Sequence, residues 1–73
     1  MLKNNIPEIA KRRKMSGRQL ALKIGMSNYN HIYKHVLAKE DLSEMRAKTL
    51  FALADALDCT VDDLATLVLV NGN

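Results

Sequence analysis

The chain has no tryptophan, one phenylalanine and two tyrosines, too few aromatic side chains to build a core. The core must therefore be aliphatic, and Leu, Ile, Val, Ala and Met are plentiful enough to supply it. A single cysteine, Cys59, excludes an internal disulfide and suits a reducing compartment; it reads as an inert, buried small hydrophobe. No apolar run approaches the roughly eighteen residues that a membrane span requires, so no membrane partner is expected. Lys3 is the sole charge before the first helical pattern, and no apolar leader segment follows it, which points to a cytoplasmic protein. Proline occurs once, glycine three times, and no alternating run is convincing as a strand. No Ser-His-Asp set, paired carboxylates or phosphate loop is present. Neither catalysis nor a cofactor nor a small-molecule substrate is expected. The 73 residues read as one domain, 1–73, with no room for a separate ligand-sensing unit.

What the chain does have is charge sorted along its length. Residues 1–39 hold nine bases (Lys3, Lys11, Arg12, Arg13, Lys14, Arg18, Lys23, Lys34, Lys39) against one acid, Glu8. Residues 40–73 hold two bases, Arg46 and Lys48, against seven acids, a division that the net charge of +3 conceals. A basic front half is the electrostatic footprint of a polyanion partner, although two opposite charge sets can also simply attract each other.

End signals mark five short helices. Asn5 with Glu8 reads as a capping box with Pro7 in the first turn, opening a helix to about Lys14 that turns Ile6, Ile9 and Ala10 inward. Ser16 with Gln19 is a second box, and Leu20, Ala21 and Ile24 share one face of the helix it opens. Gly25 ends that helix, because glycine enters the left-handed region cheaply. Ser27 reads as the cap of a third helix, about 28–37. Asp41 with Glu44, or Ser43 alone, opens a fourth, where Leu50, Leu53, Ala54 and Leu57 follow helical spacing. Thr60 with Asp63 opens a fifth, apolar at Val61, Leu64, Leu67 and Val68, and Met15, Met26 and Met45 serve as core filler. The expected fold is all-α, a compact bundle of five short helices.

Only Gly25-Met26-Ser27 joins the second helix to the third. Two short helices across so tight a glycine turn form a helix-turn-helix unit, here about residues 16–37. Ala21 is small enough for close approach, and Leu20, Ile24 and Met26 supply the apolar wedge. The stretch "SGRQLALKIGMS" (16–27) resembles the core of the lambda-repressor-like helix-turn-helix family, also called the Cro/repressor or XRE type. "LFALADALDCTVDDL" (50–64) is similar to that family's fourth and fifth helices, and the resemblance covers about residues 6–68. It implies a five-helix DNA-binding regulator, usually dimeric, whose third helix enters the major groove. Three features depart from the pattern. The aliphatic anchor six residues after the turn glycine is His31, with Ile32 one later. The Glu-x-Gly that ends many such third helices is replaced by His35-Val36-Leu37-Ala38, and its helix-one arginine by Ala10. The loop "AKEDLSEM" is longer than usual.

Two registers therefore stay open for the third helix. By periodicity Tyr29, Ile32, Tyr33 and Val36 form the inward stripe, while Asn30, His31 and Lys34 face outward, flanked by Asn28 and His35. The resemblance instead implies that Asn28, Tyr29 and Tyr33 read bases. The expected base-reading residues are Asn28, Asn30 and Lys34, followed by Tyr29 and Tyr33. Asn offers donor and acceptor together to adenine N6 and N7, and Lys donates to guanine O6 and N7. Ser16, Arg18, Ser27 and Lys39 are the expected phosphate contacts. Of the four consecutive bases Lys11 to Lys14, which point around most of a helix, only some can reach a phosphate.

His31 and His35 have the spacing of two helical zinc ligands, but a zinc site needs three or four, so they read as exposed polar residues and no metal is expected. In the tail, 66–73, Val68, Leu69 and Val70 are consecutively apolar, more than one helix face can bury. They are a candidate homodimer contact, with packing onto helix one as the alternative. The expected function is a sequence-specific transcriptional regulator, a repressor, bound as a homodimer to an inverted repeat in double-stranded DNA. The alternative is a protein-interaction module on the same fold, or an antitoxin with a toxin partner.

Overall fold

Aliphatic side chains at helical spacing gather five helices around one core, and a small sheet closes the arrangement. The computed structural model describes residues 1–69. Their order is β1 (Leu2–Asn4), α1 (Ile6–Arg12), α2 (Gly17–Lys23), α3 (Tyr29–Ile32), α4 (Ala47–Ala56), α5 (Val61–Leu64) and β2 (Ala65–Leu67). A π-helical turn over Tyr33–Leu37 continues α3. The core holds no aromatic residue: Ile6, Leu20, Ile32, Leu42, Leu53, Leu57 and Leu64 are its largest fully buried members. Burying each such side chain contributes about 1.5–3 kcal/mol. Leu42 comes from the long loop between α3 and α4, so that loop is pinned rather than loose.

The sheet corrects the all-α expectation. β1 and β2 pair antiparallel, with Leu2 opposite Leu67, Lys3 opposite Thr66 and Asn4 opposite Ala65. The ladder extends to Met1 and Val68, where the Val68 amide donates to the Met1 carbonyl at 2.9 Å. On its other side β1 meets the loop, since the Leu42 amide donates to the Leu2 carbonyl at 2.9 Å and the Asn4 amide to the Glu40 carbonyl at 3.2 Å. Each strand has three residues, too few for alternation to register, and the pairing joins chain positions more than sixty residues apart. The fifth helix is correspondingly short. Ala65 leaves it with φ −143° and ψ 139°, so Leu67 lies in the strand and Val68 just beyond it, not in the helix.

Two capping boxes form as expected, at Ser16 with Gln19 and at Thr60 with Asp63. Three other starts differ. Asn5 caps nothing with its side chain, which donates instead to Thr66 Oγ1 at 2.8 Å and to the Asp63 carbonyl at 3.3 Å. Asn28, not Ser27, caps α3, its Oδ1 accepting from the Asn30 amide at 3.1 Å. Arg46 stands at the start of α4, because the Asp41 carboxylate accepts from the amides of Leu2 and Ser43, both at 3.0 Å, and from the Ser43 hydroxyl. At helix ends, Gly25 takes the left-handed conformation at φ 78°, as expected, and Lys14 and Asp58 do the same without being glycine, at φ 55° and 53°. No described helix is long and apolar enough to cross a membrane.

Candidate nucleic-acid interface

The turn that sets α3 against α2 is built from Gly25. With Gly25 left-handed, the Met26 amide reaches back to the Ala21 carbonyl at 2.8 Å, and the chain reverses within three residues. Ala21 is buried beneath this turn, with Ile24 and Met26 packed partly against the core.

Ile32 is the buried anchor of α3 and His31 is exposed. Val36, one turn on, is buried as well. The extra residue between Gly25 and its aliphatic anchor falls in the turn, where the cap of α3 is Asn28 and not Ser27. After Ile32 the hydrogen bonding widens, so that the Ala38 amide donates five residues back to the Tyr33 carbonyl at 3.1 Å. Such a π-turn holds about one more residue than an α-turn and recurs at functional sites.

Opposite Ile32 and Val36 the helix exposes Asn30, His31, Lys34 and His35. The two tyrosines of the expected inward stripe are half exposed, Tyr29 at 45% and Tyr33 at 46%. The Arg18 guanidinium sits 5.7 Å from the centre of the Tyr29 ring, a cation–π distance that fixes α2's first turn against the start of α3. Tyr33 lies over Gly17, where a Cβ would come within 2.7 Å of its Cζ and 2.9 Å of its Cε1. The structure therefore brings Arg18 to Tyr29 and the start of α2 to Tyr33.

The remaining sequence-predicted residues are placed as follows. Asn28 has its carboxamide oxygen engaged as the α3 cap, which leaves its Nδ2 as the freer group. Ser16 Oγ accepts from the Gln19 amide at 3.2 Å. Ser27 and Lys39 are exposed on either side of α3 and its π-turn. Among Lys11 to Lys14, Arg13 donates to the Asp58 carbonyl at 3.0 Å and so closes the end of α4. Val68 and Leu69 are exposed and belong to the sheet end of the molecule, and Val70 lies outside the described residues.

His31 and His35 stack with ring centroids 4.5 Å apart. No cluster of three or more His, Cys, Asp or Glu suited to a metal occurs among the described residues. Cys59 is only partly buried, in a cleft with Ile9, Arg12, Arg13 and Asp63, and that burial pushes its thiol pKa up, which disfavours the reactive thiolate.

Sequence reasoning missed Asn4. Its side chain donates to the Val36 and Lys39 carbonyls, at the end of the π-turn, and accepts from the Ile6 amide. The signal was available, since an Asn two residues before the first helical residue is the pattern of an Asx-turn.

A short α2, a tight left-handed turn and an α3 with a polar outer face define a helix-turn-helix protein. The chain belongs to the Cro/C1-type HTH DNA-binding domain family, whose model matches residues 5–69. It is thus a DNA-binding protein of the regulator class. No curated protein and no solved structure matches it.

Proposed function

We propose that the chain is a transcriptional repressor that reads an inverted-repeat operator in double-stranded DNA as a homodimer, with α3 and its π-turn in the major groove. The observation that carries this reading is the outer face of α3 and its π-turn, where Asn30 and Lys34 stand exposed opposite the buried Ile32 and Val36. Asn30 and Lys34 are the principal base readers, because both carry free hydrogen-bonding ends of the type that base edges require. Tyr29 and Tyr33 present hydroxyls beside them, and Asn28 contributes through its Nδ2. Ser16, Arg18, Ser27 and Lys39 hold the phosphates on either side of the groove. Occupying a promoter-overlapping site is sufficient for repression. Val68 and Leu69, with the neighbouring exposed Leu67, supply the contact between protomers, and the whole acts as one unit in the cytoplasm.

Selection of bound sequences from random DNA tests the proposal. The expected product is a palindrome whose half-sites lie about 10 base pairs apart. Failure to enrich any sequence at low salt overturns it. Two further side chains favour a second reading: Leu22, 69% exposed, and Phe51, 66% exposed, are apolar surface with no role in the groove. They suit a protein partner, as for an interaction module or an antitoxin bound to its toxin. That reading predicts a protein complex that survives when DNA binding has been abolished.

A further inference from the structure

One side chain ties the start of α1 to the end of the recognition helix. Asn4, half-buried at the end of β1, donates through its Nδ2 to the carbonyl oxygens of Val36 and Lys39, each at 2.7 Å. Its Oδ1 accepts from the Ile6 amide at 2.9 Å, which closes the turn into α1. The last carbonyls of any helix lack intrahelical partners, and here the Ala38 amide is already spent on Tyr33. Asn4 supplies the missing donor from outside the helix. Asn5, its neighbour, faces the other way, towards Thr66 and Asp63.

We propose that Asn4 is a positioning residue for DNA recognition. It fixes the final turn of the recognition helix, and with it the angle at which Asn30 and Lys34 meet the bases, without touching DNA itself. The role rests on the DNA-binding reading above. Its physical basis is distinct: two short hydrogen bonds that hold a π-turn which would otherwise relax.

Asn4→Ser separates the two jobs of this side chain. A serine oxygen still accepts from an amide two residues on, so the turn into α1 is kept. Its hydroxyl is too short, and has too few hydrogens, to bridge two carbonyls. Asn5→Ser is the matched control: it leaves the charge unchanged and removes bonds directed away from the recognition helix. Melting temperature, amide exchange of the free protein and affinity for the selected operator are measured on both variants.

In Asn4→Ser the amides of Leu37 and Ala38 should exchange about tenfold faster, and operator affinity should fall about tenfold. Asn5→Ser, even with an equal loss of melting temperature, should bind within about twofold of the wild type. Equal weakening by the two variants overturns the proposal, since Asn4 would then act through stability alone, and so does unchanged exchange in Asn4→Ser. A wild type that binds no DNA removes the DNA reading itself, and Asn4's role in recognition with it. Wild-type binding with Asn4→Ser unimpaired removes only the positioning role.

Discussion

Asn30, Lys34 and Arg18 all face outward, yet substituting them should have different signatures. On the proposed reading Asn30→Ala or Lys34→Ala removes a base-edge contact, so discrimination at one operator position should fall by about 1–3 kcal/mol. Arg18→Ala, at a proposed phosphate contact, should weaken binding to all sequences alike, with a salt slope lower by about one per contact. Competition binding against point-mutated operators reads both effects. Unchanged site preference in both α3 variants shifts the recognition to Tyr33. Asp41 makes a prediction about acid. The Ser43 hydroxyl, then the amides of Leu2 and Ser43, hold its carboxyl down from 3.8 to about 2. Because the folded value is the lower one, the stabilisation is fully present above about pH 4 and is lost as the pH falls towards 2. Asp41→Asn should therefore melt below the wild type at pH 7, and the gap should close by about pH 2. A gap of constant size across that range would show that Asp41 does not tie β1 to the loop through its charge.

At the scale of elements, the sequence exposes what is local and hides what is distant. The boxes at Ser16 and Thr60 were legible because both partners lie three residues apart and no outside group competes. Asn5 follows the same local pattern, but Thr66 takes its amide from 61 residues away. The end of the first helix near Lys14 was legible, but not that Lys14 and Asp58 take the left-handed conformation there without being glycine. The helix-turn-helix was legible throughout, and the outward placement of Asn30, His31 and Lys34 followed from periodicity alone. The π-turn was not, since nothing local separates an α-turn from one that holds an extra residue. Tyr33, the first residue of that turn, is seated on Gly17. In Gly17→Ala the new methyl group gains up to about 1 kcal/mol of helix propensity, but it displaces the outer end of the tyrosine ring. That ring is half exposed and can swing outward. Stability should stay within about 1 kcal/mol of the wild type, while the Tyr33 ring resonances shift and operator affinity falls. Unshifted resonances would place the ring off Gly17.

For the molecule as a whole, the proposed homodimer needs an open surface, and the sheet offers one. β1 is bonded on both sides, by β2 and by the loop at Glu40 to Leu42, so it offers no free edge. The backbone of β2 pairs with β1 alone among the described residues, and Leu67 within it and Leu69 beyond it are 64% and 80% exposed. Exposed strand edges with apolar side chains favour pairing with another chain. Because these side chains bury little in the protomer, replacing them costs the fold little, and any loss of function reports on association. The double variant Leu67→Ser, Leu69→Ser should keep its melting temperature and bind a single half-site duplex as the wild type does. On the two-half-site operator it should lose at least about tenfold, because the second half-site is no longer filled from a tethered protomer. Its salt slope there should also drop to about half, since slope scales with the number of phosphates neutralised. A double variant that binds the full operator like the wild type would move the contact between protomers away from β2, and the exposed Leu22 and Phe51 would be the next surface to substitute.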